Sequence, residues 1–192
     1  MAGARSDEVE AGSSRDRATN EGSVGWGIVG YGWVARDYMA PGIRQAGHRL
    51  VAVCDPNPAC REAAAAEGAR THAELTAFLA DPEIEAVYVA TPNHLHREAV
   101  EALAKSGKAV LCEKPMAAGL ADAEAMVRAI ESGNIFYGTA FDQRHHPAHR
   151  LMRVRIAAGH LGTATAVRIV FAFWFRRDWF AAGPPNWRIA AG

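Results

Sequence analysis

Three short segments carry the side chains with chemistry to offer. Gly30-Tyr31-Gly32 follows an apolar run, and Trp33, Val34 and Ala35 follow it. A G-x-G-x-x-A turn can cradle a pyrophosphate when a strand feeds it and a helix leaves it, because the helix opens with unpaired N–H groups. The same stretch also offers Gly25, Gly27 and Gly30 as a second frame, but polar residues precede that one and no strand could feed it. In the chosen frame Gly30 makes the tight turn and Gly32 lets backbone approach the phosphates. Trp33 and Val34 stand at the helix N-terminus, and Ala35 allows close helix–strand packing. Asp55 lies 23 residues beyond Gly32, at the end of Leu50-Val51-Ala52-Val53-Cys54. A carboxylate there can accept from ribose hydroxyls, although it also reads as a turn residue before Pro56. Repulsion of a 2′-phosphate by Asp55 favours NAD, while nearby Arg61 keeps NADP open.

Two further segments follow apolar runs. Thr91-Pro92-Asn93 comes after Ala86-Val87-Tyr88-Val89-Ala90. Pro92 fixes a turn, and Thr91 or Asn93 can donate to a cofactor. Asn93 can equally cap a helix beginning at His94. His94 and His96 are two residues apart and do not share a helix face, which speaks against a metal pair. Glu113-Lys114-Pro115 comes after Val110-Leu111-Cys112. Taken alone, its lysine reads equally well as a solvated loop residue.

The elements that must hold these segments alternate. Strands are expected over 24–29, 49–54, 86–90, 109–112 and 134–141, and helices over 33–46, 58–67, 75–80, 94–106 and 120–131. Pro41 and Gly42 suggest a break in the first helix. Short apolar strands separated by helices indicate a doubly wound parallel sheet covered on both faces, the Rossmann α/β arrangement. Residues 1–23 are polar and read as a disordered tail, residues 24–143 as the nucleotide-binding domain. From residue 144 the pattern changes to a helix over 148–158 and a period-two run over 163–175. That run predicts a strand of an open antiparallel sheet, the start of an α+β second domain spanning 144–192.

Composition excludes several classes. Twenty-one basic and 21 acidic side chains give zero formal charge, so no global field draws nucleic acid or an anionic membrane. No run reaches the roughly 18 apolar residues of a membrane helix. The cysteines Cys54, Cys60 and Cys112 are odd in number and lack a C-x-x-C pair, which argues against a disulfide framework or zinc site and for a reduced, cytoplasmic setting.

The segments 27–35, 51–57, 87–96, 107–115 and 138–147, in this order and spacing, resemble the glucose–fructose oxidoreductase / inositol 2-dehydrogenase / MocA (Gfo/Idh/MocA) family. The resemblance implies an NAD(P)-dependent oxidoreductase moving hydride between nicotinamide and a hydroxyl or carbonyl carbon of a sugar, a cyclitol or a related compound. It implies that Glu113 and Lys114 sit beside the nicotinamide, with a proline, often in a cis bond, fixing the turn. Beside a cationic ring the ammonium form of Lys114 would be disfavoured, suiting it to orient substrate and share a proton. His94 and His96 both count as cofactor-binding candidates, His94 implied to lie nearer the cofactor and His96 with the surface as its alternative, and Arg144 is implied to stand at the rim of a substrate pocket. Full-length members are expected to form homo-oligomers through the second domain. The resemblance also implies a downstream Gly-Gly-Gly … Asp-x-Gly-x-His motif that would complete the catalytic set, and residues 186–192 fall where it would begin. The expectation is therefore of a truncated chain or fragment. A non-catalytic dinucleotide-binding module and an inactive fragment are the rival readings.

Overall fold

A computed structural model describes residues 22–172 and 174. Six strands form one sheet: β1 (Gly25–Val29), β2 (Arg49–Cys54), β3 (Arg70–His72), β4 (Ala86–Val89), β5 (Ala109–Cys112) and β6 (Tyr137–Thr139). Their order is β3-β2-β1-β4-β5-β6, and every neighbouring pair is parallel. Strand order thus reverses between β1 and β4. All carboxyl ends point to one rim, and the crevice of a doubly wound sheet opens there.

Alternation along the strands builds the core. Val87 and Val89 of β4 pack into one layer with Val29, Phe78, Val100, Leu103 and Met126, whereas Tyr88 between them faces the other layer with Ile28, Tyr31, Ile43 and Val53. The first layer is covered by α3 (Leu75–Leu79), α4 (His96–Lys105) and α5 (Leu120–Gly133). The second is covered by α1 (Ala40–Gln45) and α2 (Pro58–Ala66). Both faces of the sheet are therefore dry, which is why its strands read as continuous apolar runs.

Three elements depart from the expectations. Strand β3 is Arg-Thr-His, a three-residue edge strand with no apolar run to betray it; Arg70 ties it to Asp81 through Nε at 2.8 Å and Nη2 at 3.0 Å. The break expected at Pro41 is absent. Instead the helix continues through a π-turn at Ala35–Met39, where the Ala40 N–H donates to the Ala35 carbonyl. Proline lacks an N–H and crowds the carbonyl four residues back, and the widened turn relieves both problems without ending the helix. Finally, 163–172 carries neither helix nor strand and is exposed, because the described residues include no second strand beside it to supply a ladder. Residues 173 and 175–192, which include the end of that predicted strand, lie outside the described residues, as do residues 1–21 of the predicted tail. Helix α6 (Pro147–Ala157) forms as expected, capped by the His146 ring, which accepts from the Ala148 N–H.

Candidate active site

The glycine loop joins β1 to its helix at the switch point. Gly30 has φ of +86°, and a Cβ built on it would lie 2.9 Å from the Ala90 carbonyl group and the Thr91 nitrogen. Only glycine serves at such a position, since φ is positive and backbone of the neighbouring strand leaves no room. At Gly32 a Cβ would meet nothing within 4 Å, so the loop faces open space. The first helical backbone bond runs from the Arg36 N–H to the Gly32 carbonyl, which leaves the N–H groups of Gly32, Trp33 and Val34 ahead of the ladder. Gly25 and Gly27 instead lie within β1, where a Cβ on Gly27 would strike the Phe78 ring.

Asp55, at the end of β2, is 8% exposed. Its Oδ2 accepts from the Tyr31 N–H at 2.7 Å and its Oδ1 from the Asn57 N–H at 2.8 Å. The carboxylate therefore holds the shape of the glycine loop from the β2 side of the crevice. Arg61 folds back so that Nη1 donates to the carbonyls of Asp55 and Pro56, both at 2.8 Å. Beyond β4, Thr91, Pro92 and Asn93 are half-buried, and the Thr91 hydroxyl is buried without a partner among the described residues. Buried hydroxyls ordinarily find partners. A glycine backbone facing open space, unladdered N–H groups and an orphaned hydroxyl beside them together fit a diphosphate-bearing dinucleotide.

At the other end of the crevice, Lys114 and Pro115 follow β5 across a cis peptide bond. The Lys114 side chain is exposed, and its ammonium has no partner among the described residues. Glu113 is oriented from inside the sheet: the buried Tyr88 hydroxyl donates to its Oε1, and the Lys114 N–H donates to its Oε2 at 3.1 Å. Burial, then the hydrogen-bonded Glu113 carboxylate, push the Tyr88 phenol far above its ordinary range, so it remains a donor at any working pH. Arg144 sits in a short 3-10 turn (Asp142–His145) beyond β6, its guanidinium 5.8 Å from the Phe141 ring centroid and exposed to solvent. Among the described residues its side chain makes no hydrogen bond or ion pair to the residues around β1 and β4.

His96 requires a correction. It is not a surface residue but fully buried, while His94 is the exposed one. Asn93–Leu95 forms a 3-10 turn, so α4 begins at His96 and buries the stripe His96, Ala99, Val100, Leu103. His96 is the first member of that i, i+3, i+4, i+7 face. Its Nδ1 lies 3.0 Å from the Pro115 carbonyl and its Nε2 3.0 Å from the Thr91 carbonyl.

Residues 24–141, more than half of the chain, match the profile of the Gfo/Idh/MocA family, described as an oxidoreductase family with an NAD-binding Rossmann fold. The chain belongs to this family. Among its Gfo/Idh/MocA relatives, it is 36% identical over 169 residues to 1,5-anhydro-D-fructose reductase of Ensifer adhaerens, covering 85% of this chain and 48% of that protein. It is 32% identical over 167 residues to trans-1,2-dihydrobenzene-1,2-diol dehydrogenase of Mus musculus, covering 82% and 50%. The WlbA dehydrogenase from Bordetella pertussis, solved in complex with NADH and UDP-GlcNAcA, superposes with a TM-score of 0.68 at 31% identity over 73% of this chain and 43% of that one. Levoglucosan dehydrogenase, solved with NADH and levoglucosan, gives 0.66 at 29% identity over 73% and 40%. The chain thus spans about half the length, or less, of the relatives it matches. Among the described residues no helix is long and apolar enough to cross a membrane.

Two functional contacts of this Gfo/Idh/MocA chain escaped the sequence. The link from Tyr88 to Glu113 depends on the register of β4 against β5, which pairs Val89 with Cys112 and carries both side chains to one rim. A signal existed: a tyrosine in an otherwise aliphatic buried strand needs a partner for its hydroxyl. The Asp55 link to the Tyr31 N–H left no such signal, because Asp55 satisfies a backbone donor that every residue type possesses.

Proposed function

We propose that this chain holds NAD(H) and, within its full polypeptide, acts as an oxidoreductase on a hydroxyl or carbonyl carbon of a sugar, a cyclitol or a related compound. The observation that carries the reading is the Gly30–Gly32 loop, tied by its own Tyr31 N–H to Asp55 at the point where strand order reverses. The names of the relatives, a reductase of an anhydro-sugar and a dehydrogenase of levoglucosan, support the sugar class. When bound, the nicotinamide supplies or accepts the hydride.

The protein's own part is positioning and proton handling. Gly30 and Gly32 admit the diphosphate, with Trp33 and Val34 presenting helix N–H groups to it. Asp55 accepts from the adenosine ribose and disfavours a 2′-phosphate, while Arg61 leaves NADP as the second coenzyme. Thr91, Pro92, Asn93 and the exposed His94 line the wall after β4, and the buried His96 supports that wall from behind. Glu113 and Lys114 line the wall after β5, where the Lys114 amine orients the reacting oxygen and gives or takes its proton. Arg144, beyond β6, is assigned to the substrate rim. Titration of NADH into the purified chain, followed by fluorescence, and assay of the full polypeptide against a panel of polyols test the reading. Binding with turnover supports it, and Lys114→Met should then abolish turnover while sparing NADH binding. Binding without turnover assigns a dinucleotide-binding module instead.

A further inference from the structure

Strands β4 and β5 stay in register to the Glu113 N–H, which donates to the Val89 carbonyl at 2.8 Å. Beyond that bond the chains part: one turns through Thr91-Pro92-Asn93, the other through Lys114-Pro115. The imidazole of His96 spans the gap, with one nitrogen 3.0 Å from the Thr91 carbonyl and the other 3.0 Å from the Pro115 carbonyl. Either neutral tautomer donates to one of these oxygens, and the doubly protonated ring donates to both. An aliphatic side chain would fill the same place on the buried face of α4 but would leave both carbonyls without this donor.

The position matters because both loops lie over the β4–β5 half of the crevice. In a doubly wound sheet the two halves of a dinucleotide lie on opposite sides of the switch point, and Asp55 marks the β1–β2 side as the adenosine half. We infer that His96 is a positioning residue that holds the loop after β4 against the Glu113-Lys114-Pro115 turn, so that the walls of the nicotinamide half keep one spacing. The inference rests on the dinucleotide reading above.

The test compares two ligands on the whole chain. NADH occupies both halves of the crevice, whereas ADP-ribose lacks the nicotinamide and leaves the space between the β4 and β5 loops empty. In His96→Ala, NADH affinity should fall about tenfold while ADP-ribose affinity stays within about twofold. His96→Gln, whose amide can still donate to a carbonyl, should recover part of the loss, and it carries the test should the alanine variant fail to fold. Equal weakening of both ligands would reduce His96 to a stabiliser of the fold and overturn the inference, as would unchanged NADH binding. A wild-type chain that binds neither ligand would instead remove the dinucleotide reading, and this inference with it.

Discussion

Gly30→Ala and Gly32→Ala are chemically the same change two residues apart, yet they should fail in different ways. At Gly30 the new methyl would sit 2.9 Å from three backbone atoms of Ala90 and Thr91, on a residue with φ of +86°. The left-handed backbone alone costs a non-glycine residue about 1–2 kcal/mol. Overpacking against backbone, which cannot rotate away, adds about 1–3 kcal/mol. The sum, about 2–5 kcal/mol, is a large fraction of a domain's stability and should lower Tm by roughly 5–15 °C in a chain of this size. At Gly32 the methyl meets nothing within 4 Å, and φ lies outside the left-handed region. Its stability should change by less than about 1 kcal/mol, but the methyl stands in the space assigned to the diphosphate, so NADH affinity should fall by at least about tenfold. Thermal denaturation followed by circular dichroism, paired with NADH fluorescence titration, reads both quantities. A Gly32→Ala chain that binds NADH like wild type would refute the frame of the loop. A Gly30→Ala chain with an unshifted Tm would refute the packing argument.

Asp55→Asn keeps one acceptor but turns an NH2 group toward the second of two backbone donors, Tyr31 or Asn57, so urea unfolding should show a loss of about 1.5–3 kcal/mol together with weaker NADH binding. Tyr88→Phe removes the hydroxyl that orients Glu113 and should lower stability by about 1 kcal/mol with the fold intact, measured in the same way. Stability should also decline in alkali. Burial lifts the Cys54 thiol to about 11 and the Cys112 thiol to about 12, and it lifts the Tyr137 phenol to about 12. These groups hold their protons more tightly folded than unfolded, so their contribution is complete below about pH 9 and is lost as pH rises through 11–12. Urea midpoints at pH 8 and pH 10.5 measure the decline; equal midpoints would contradict it.

How much of this was legible beforehand follows from which interactions are local. Strands β1, β2, β4 and β5 announce themselves as apolar runs because each is buried on both faces, and Asp55 follows from its distance to the glycine turn. The edge strand β3 has one neighbour and polar residues, so its period carries no signal. The π-turn depends on how a helix accommodates Pro41, which competes with the simpler outcome of ending it. His96 was misplaced although its spacing to Ala99, Val100 and Leu103 put it on the buried stripe of α4: the surface reading came from the family resemblance, and a histidine at the head of an apolar stripe is not by itself a sign of burial. The contacts of His96 with Thr91 and Pro115 join two loops that meet only after the sheet has formed.

The double duty proposed for Asp55, coenzyme selection besides its bond to the Tyr31 N–H, bears on attempts to re-engineer coenzyme choice. Replacing an acidic residue at this position is the obvious route to welcoming a 2′-phosphate, but here the same side chain anchors the amide of Tyr31. A small neutral substitute would relax the repulsion and slacken the loop in one stroke, trading selectivity against affinity for either nucleotide. A serine or threonine, able to keep an oxygen near that amide, is the replacement a redesign should try first, with the spare donors of Arg61 already nearby to meet the added phosphate.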